Sequence, residues 1–281
     1  MRDNEILNLG SIQQQVIIFG GPYGNLQATQ AMRKVANELN VPPTHTICNG
    51  DCIAYCAQPA ETVALIQEWG VPVIMGNCEE SLAEGRDDCG CGFEDGSSCS
   101  VLAETWYPYC NSQLPDGDKL WMGGLPKNIE FTMCDRRFFL FHGGVTTINQ
   151  FVYASSPATL KQHELELSGA DVVVGGHSGL PFGEEVPGGY WLNSGVIGMP
   201  ANDGTQDGWY LLLTPGETDI RCEWQRLDYD VKSARIAMQN AGLSNGYCAA
   251  LESGLWPSMD TLPEVERNQQ GRVLSIQSMS I

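Results

Sequence analysis

The first part of the chain alternates short apolar runs with longer segments that carry apolar residues at helical spacing. Residues 16–19 form an apolar run that stops at Gly20-Gly21-Pro22, and residues 26–39 follow with apolar side chains every third or fourth position. This pattern predicts a buried strand, a tight turn and a helix. The unit recurs, with predicted strands at residues 44–48 and 71–75 and a helix at residues 61–69 between them. Strands that alternate with crossover helices favour a largely parallel sheet.

The alternation breaks between residues 79 and 118, where the chain is rich in acidic residues, glycine and cysteine and has one predicted helix at residues 100–109. Because this insertion directly follows a predicted strand, we expect it to cover the edge of the sheet where that strand ends. Residues 128–133 and 137–141 then predict a β-hairpin. The remaining predicted elements are helices at residues 157–168, 231–241 and 246–253, strands at residues 171–174, 190–192, 209–213 and 220–227, and a loosely packed tail from residue 261.

The composition favours one folded domain and excludes some classes of partner. The chain has 281 residues and no linker-like segment, so we expect a single domain over residues 1–260 and a tail at 261–281. A net charge of -19 leaves no basic surface for duplex nucleic acid and disfavours binding to an anionic membrane. The sequence shows neither a signal peptide nor a membrane-spanning run. We therefore expect a cytoplasmic protein whose eleven cysteines are reduced thiols or metal ligands.

Four polar side chains directly follow predicted strands, at the edge where open α/β sheets bind ligands. They are Asp51, Asn77, His142 and His177. A carboxylate, an amide oxygen and two imidazoles suit one divalent transition metal ion such as Mn²⁺, Zn²⁺ or Fe²⁺. Taken singly, the Asp and Asn could cap helices or turns, and the histidines could bond to backbone carbonyls. Their shared position at strand ends favours the metal site.

The motifs that contain these residues resemble those of a known family. They are Gly50-Asp51, Gly76-Asn77, His142-Gly143, Gly176-His177 and the segment 192–200. In this order they resemble the calcineurin-like metallophosphoesterase superfamily, and most closely its YfcE-like and diadenosine-tetraphosphatase-like branch. The resemblance implies an α/β fold of four layers, α/β/β/α, in which helices flank two mixed sheets. It also implies that Asp51, Asn77, His142 and His177 hold a metal ion.

Departures from the family pattern fall on one of its two metal positions. Where the family has Asp-x-His after the first strand, this chain has Gly21-Pro22-Tyr23, and Gly179 replaces the second histidine of Gly-His-x-His. The resemblance therefore implies that the first metal position is degenerate. Asp51, which bridges both ions in the family, and the ligands of the second ion are kept.

One further departure concerns catalysis. Cys78 stands where the family has a histidine that acts near the leaving group. A thiol beside an ion could be a ligand, a weak acid or a small buried residue. We predict catalytic roles for Cys78 and Asp51.

The insertion contains its own group of cysteines. Cys89, Cys91 and Cys99 could hold a structural zinc ion, but their spacing lacks two Cys-x-x-Cys pairs. Reduced cysteines that pack inside the insertion are the favoured alternative.

Two functions fit these observations. The favoured one is a hydrolase that uses a single metal ion to cleave a small phosphoester or phosphoanhydride. The alternative is a catalytically silent homologue that binds a phosphorylated ligand or a metal in a regulatory role, because lysine and arginine are scarce near the motifs. In both, the expected partner is a small phosphorylated molecule.

Overall fold

Two mixed β-sheets and the helices that flank them make up residues 6–281, the part of the chain that the computed structural model describes. The strands are β1 Ile6–Ser11, β2 Val16–Phe19, β3 Thr46–Cys48, β4 Asn128–Met133, β5 Arg136–Phe141, β6 Val172–Gly175, β7 Phe182–Val186, β8 Gly189–Asn193, β9 Gly208–Pro215, β10 Ile220–Leu227 and β11 Met279–Ser280. The helices are α1 Leu26–Glu38, α2 Pro59–Trp69, α3 Asn77–Glu84, α4 Ser98–Gln113, α5 Asp116–Met122, α6 Ala158–Ser168, α7 Val231–Asn240, α8 Gly246–Ser253 and α9 Glu264–Arg267.

Each sheet combines parallel and antiparallel pairs. Among the described residues, one sheet has the strand order β1-β4-β5-β6-β8-β7 and the other has the order β11-β10-β9-β2-β3. The β4–β5 hairpin pairs in parallel with β6, and β2 pairs in parallel with β3. The carboxyl ends of β3, β5 and β6, where three of the predicted site residues lie, therefore come from both sheets.

The alternation of side chains along β2 shows how the layers pack. Ile18 packs in a core that joins both sheets and includes Phe138 of β5 and Val174 of β6. Its neighbours Ile17 and Phe19 point the other way, into the core beneath α1 and α2. A third core lies between α6 and the outer face of the sheet that contains β5 and β6. The order is helix, sheet, sheet, helix, which confirms the predicted four-layer α/β fold.

Most strands and helices predicted from apolar spacing are present, but residues 71–75 were wrongly predicted to form a strand. They make a single parallel bridge, between Val73 and Cys48. The partner strand β3 has only three residues, and Pro72 has no N–H to donate to a ladder. The N–H of Met75 leaves the pairing and donates to the carbonyl of Pro126.

Two polar segments are more ordered than their sequences indicate. The mostly exposed residues of β1 form an edge strand parallel to β4, which the sequence did not predict. The segment 261–281, expected to pack loosely, contains α9 and the edge strand β11, with Leu262 and Ile281 buried. No helix within residues 6–281 is long and apolar enough to cross a bilayer.

Candidate metal centre

The structure brings together the polar residues predicted at strand ends. Asp51 lies three residues beyond β3, His142 directly follows β5, and His177 lies two residues beyond β6. One potential ligand atom from each of these three side chains lies within 4.8 Å of the others. Asp51 and His177 have φ angles of +54° and +57°. This left-handed conformation is unusual for residues with a side chain and is concentrated at functional sites.

His142 is oriented as a metal ligand. Its Nδ1 lies 2.8 Å from the carbonyl oxygen of Asn49, so Nδ1 carries the proton and donates it. The other ring nitrogen, Nε2, then presents a lone pair to Asp51 Oδ2 at 3.3 Å and to Asn77 Oδ1 at 3.1 Å. Two oxygens facing a nitrogen lone pair repel it unless a cation lies between them. This donor set therefore fits a metal ion.

A proton can supply that positive charge when no metal is bound. Burial opposes charge on both groups, but the attraction between Asp51 and His142 prevails, so it raises the pKa of His142 and lowers the pKa of Asp51. Within residues 6–281 no lysine or arginine forms an ion pair with Asp51. The carboxylate thus depends on the imidazole, or on a bound cation, for its charge balance.

His177 completes the group as a neutral imidazole. Its Nδ1 lies 3.3 Å from His142 Nε2, and its ring packs 4.2 Å from that of Phe151. Burial, together with the charge of His142, lowers the pKa of His177 to about 3. The Nε2 atom of His177 is buried and has no hydrogen-bond partner among the described residues. Neutral imidazole is the form that binds a metal.

Asn77, the first residue of α3, directs its amide oxygen at this group. Its Nδ2 atom donates to the carbonyl oxygen of Cys89 at 2.9 Å and lies 3.3 Å from the sulfur of Cys91. These contacts and one with the sulfur of Cys78, all on the nitrogen side, leave Oδ1 facing His142. The insertion therefore lies against Asn77 and orients the amide of this predicted ligand.

Glu79 is a supporting residue whose role was not predicted from the sequence. Its buried carboxylate accepts hydrogen bonds from the backbone N–H groups of Gly76, Asp51 and Cys52 at 2.7–2.9 Å. Burial and the nearby Asp51 raise its pKa to about 7. The available signal was its position three residues into a helix, where a glutamate bonds back to the helix start. Glu79 thereby ties the loop after β3 to the start of α3.

Cys78, the predicted catalytic thiol, lies beside the centre, and its sulfur is 3.6 Å from Asn77 Nδ2. Its N–H donates to Asp51 Oδ1 at 3.3 Å, and the side chain is buried. Burial, with the charges of Asp51 and Glu79, holds the pKa of the Cys78 thiol well above its usual range. The thiol is therefore protonated in the metal-free protein.

Gly21 and Gly179, two positions at which the family resemblance predicts a lost metal ligand, differ in how closely they are packed. A Cβ atom at Gly21 would lie 2.6 Å from both Tyr23 Cζ and Val196 Cγ1. A Cβ atom at Gly179 would lie 3.4 Å from the ring of Trp256. In residues 6–281 the His, Cys, Asp and Glu side chains form one group of three potential ligands, that of Asp51, His142 and His177.

Among the described residues, Cys89, Cys91 and Cys99 do not form a group of three potential metal ligands. Cys89 and Cys91 are bonded to each other as a disulfide, and Cys99 does not join them in a ligand group. The expectation that all cysteines are reduced thiols or metal ligands is therefore wrong for this pair. A disulfide across one residue has no sequence signal that separates it from two free thiols. Within the described chain the other nine cysteines are free.

One family model and several solved structures are similar to this chain. The model of the calcineurin-like phosphoesterase superfamily domain matches residues 24–217. A metallophosphoesterase from Sphaerobacter thermophilus has a similar structure, with a TM-score of 0.67, 18% identity, and coverage of 87% of this chain and 100% of its own. A hypothetical protein from Pyrococcus horikoshii OT3 also has a similar structure, with a TM-score of 0.71 and 14% identity. The match covers 85% of this chain and 98% of that protein. No curated protein matches the sequence. At these identities the two structures share the fold alone.

Proposed function

Because the chain belongs to the calcineurin-like phosphoesterase superfamily, we propose that it hydrolyses a small phosphoester or phosphoanhydride with a single bound metal ion. The convergence of Asp51, His142 and His177 within 4.8 Å carries this proposal. Asn77 is the fourth ligand, through the oxygen that faces His142. Nitrogen and oxygen ligands of this kind suit Mn²⁺, Zn²⁺ or Fe²⁺.

The protein's contribution is to hold and shield the reacting phosphoryl group. When bound, the ion acts as a Lewis acid that withdraws charge from a phosphoryl oxygen. A cavity of about 60 Å³ lies beside His177, and Tyr23, Phe93, Phe151 and Trp256 line part of it. This volume admits a group of about two water molecules in size. A phosphoryl group can therefore approach the centre while the remainder of the substrate stays outside.

Cys78 is proposed as the residue that assists the leaving group. Its thiol is protonated and its backbone N–H bonds to Asp51 Oδ1, and from this position beside the centre we expect it to donate a weak hydrogen bond to the departing oxygen. We expect Cys78→Ala to lower turnover of an activated phosphodiester about tenfold while metal content stays unchanged, since mutant kinetics separate chemistry from binding. An unchanged turnover would remove Cys78 from the reaction.

A panel of an activated phosphodiester, a phosphomonoester and a dinucleotide polyphosphate tests the hydrolase proposal. Metal-loaded protein is expected to cleave at least one of them, and His142→Ala is expected to abolish that cleavage. His163→Ala is the matched control, because His163 is exposed on α6, away from the centre. Activity that survives in His142→Ala would reject the proposal.

A silent, ligand-binding role is the second candidate. It is favoured by Gly21, Tyr23 and Gly179, which stand where the family has ligands for a second ion, so that one ion would have to stabilise all of the transition-state charge. In that case metal-loaded protein would be stabilised by a phosphorylated compound, measured as a rise in Tm, without turnover of any member of the panel.

A further inference from the structure

We propose that the Cys89–Cys91 disulfide is a redox switch that sets how tightly the metal centre holds its ion. The inference rests on the proposed metal site and adds a means of control. It starts from a juxtaposition: the disulfide loop contacts Asn77 through both the carbonyl oxygen of Cys89 and the sulfur of Cys91.

The disulfide loop of residues 89–91 is packed closely against α3. A Cβ atom at Gly90 would lie 2.6 Å from Ser81 Oγ and 3.7 Å from Asn77 Cβ. Gly90 also has a φ angle of +63°, which glycine adopts without strain. A side chain at position 90 would collide with Ser81, so the glycine lets the loop pack this closely against α3.

Neighbouring side chains hold the loop from outside. Asp88 accepts a hydrogen bond from the N–H of Gly90 at 2.7 Å, and Asn149 donates to the carbonyl oxygen of Gly90 at 2.9 Å. With the covalent bond between Cys89 and Cys91, these contacts fix the position of the carbonyl that receives the Asn77 amide. The amide oxygen is thereby kept turned toward His142.

Cys89 and Cys91 are each 4% exposed, and we expect a reductant to approach them from a depression that they border. An open depression of about 500 Å³ is lined by Cys89, Gly90 and Cys91. Its lining also includes four acidic side chains, Asp87, Asp88, Asp95 and Glu104. Negative charge at this density repels an anionic thiol and so favours an uncharged or cationic dithiol as the co-reactant.

The reaction is ordinary thiol–disulfide exchange. A thiolate of the dithiol attacks one sulfur of the pair, the Cys89–Cys91 bond breaks, and a mixed disulfide forms. The second thiol of the reductant then displaces the protein sulfur and closes its own disulfide. Two electrons and two protons pass to the protein, which ends with two thiols.

Reduction is expected to weaken metal binding. Without the covalent bond the loop gains conformational freedom, and the carbonyl of Cys89 no longer holds the Asn77 amide in one orientation. Asn77 is then poorly oriented as a ligand. Loss of a partner that orients a metal ligand lowers affinity about 10- to 100-fold.

Titration calorimetry with Mn²⁺ on the full-length, metal-stripped protein tests the switch, before and after treatment with dithiothreitol that is then removed under argon. Reduction is expected to raise the Kd for Mn²⁺ about tenfold or more. Alkylation of the unfolded chain followed by mass spectrometry should label nine cysteines before reduction and eleven afterwards. The variant with Cys89→Ser and Cys91→Ser should show the weaker affinity with or without the reductant. Cys134→Ser, which changes a free thiol in the β4–β5 turn, should behave like the unaltered protein.

Three results would overturn the switch. The first is eleven labelled cysteines before reduction, and the second is a Kd for Mn²⁺ that changes less than about threefold on reduction. The third is tighter Mn²⁺ binding after reduction, which would indicate that a free thiolate joins the centre. Failure of the proposed function is distinguishable from these. Protein that binds no Mn²⁺, Zn²⁺ or Fe²⁺ in either redox state would reject the metal site itself, whatever the count of labelled cysteines.

Discussion

Asp51 and His177 lie in the candidate centre because the surrounding structure holds their backbones in a conformation that residues with side chains seldom adopt. Their φ angles of +54° and +57° correspond to strain of about 1–3 kcal/mol each. For Asp51 the holding group is Glu79, which accepts its N–H at 2.9 Å. Glu79 should therefore matter to stability.

We expect Glu79→Gln to lower the free energy of unfolding by about 3 kcal/mol. The carboxylate now accepts hydrogen bonds from three backbone N–H groups. The glutamine side chain would turn its own NH₂ group toward at least one of these N–H groups, and that buried donor would lose its acceptor. Urea unfolding followed by circular dichroism measures the change. The adjacent Glu80→Gln is the control, expected to lose less than about 1 kcal/mol, because Glu80 makes only surface ion pairs with Arg86 and Lys127. Equal losses would contradict the role given to Glu79.

Tyr23 and Gly21 should be energetically coupled. A side chain at Gly21 collides with the Tyr23 ring, so Gly21→Asp is expected to destabilise the protein by more than about 2 kcal/mol, and Tyr23→Ala in the same chain should recover part of the loss. Gly70→Asp is the control, since Gly70 has a φ angle of +73° but nothing within 4 Å of the added Cβ. The measurement is a double-mutant cycle of unfolding free energies. Purely additive losses would show that Tyr23 does not occupy the space beside Gly21.

The convergence of the candidate ligands could be predicted from the sequence, whereas the groups that orient them could not. Asp51, His142 and His177 each follow a short apolar run, and the family resemblance supplied their order. The carbonyl oxygens of Asn49 and Cys89 act through the backbone, which every residue possesses, so no residue type marks them.

At the scale of elements, the spacing of apolar residues predicted helices and strands correctly where one side of the segment is buried. The hairpin β4–β5 follows this rule, since buried and partly exposed residues alternate along β4. It failed for β1, whose residues are mostly exposed and whose order comes from pairing with β4. Edge pairing depends on a distant partner strand and leaves little trace in local sequence.

The insertion is a packed element and is expected to unfold with the rest of the protein. On α4, Trp106 is fully buried and its ring meets that of Tyr55 edge to face at 5.0 Å. We expect Trp106→Ala to lower the free energy of unfolding by about 3–5 kcal/mol in a single cooperative transition. Val101→Ala, at an exposed site on the same helix, should cost less than about 0.5 kcal/mol. A small effect at Trp106 would mean that the insertion is a lid that opens independently.

At the scale of the whole molecule, the fold joins the carboxyl ends of strands from two sheets and covers them with the insertion. Asp51 comes from the sheet that contains β3, while His142 and His177 come from the sheet that contains β5 and β6. A metal ion held by all three would therefore link the two sheets. Since a ligand that binds only the folded state stabilises it, removal of the ion with a chelator should lower Tm.

The metal content of the purified protein tests the central claim most directly. Elemental analysis of protein loaded with Mn²⁺ or Zn²⁺ and then dialysed should give about one ion per chain. One ion of this kind takes about four protein ligands, and the centre offers one such set of four. His142→Ala and His177→Ala should lose the ion, and His163→Ala should keep it. About two ions per chain at full occupancy, or one ion retained after both His142 and His177 are replaced, would contradict the account.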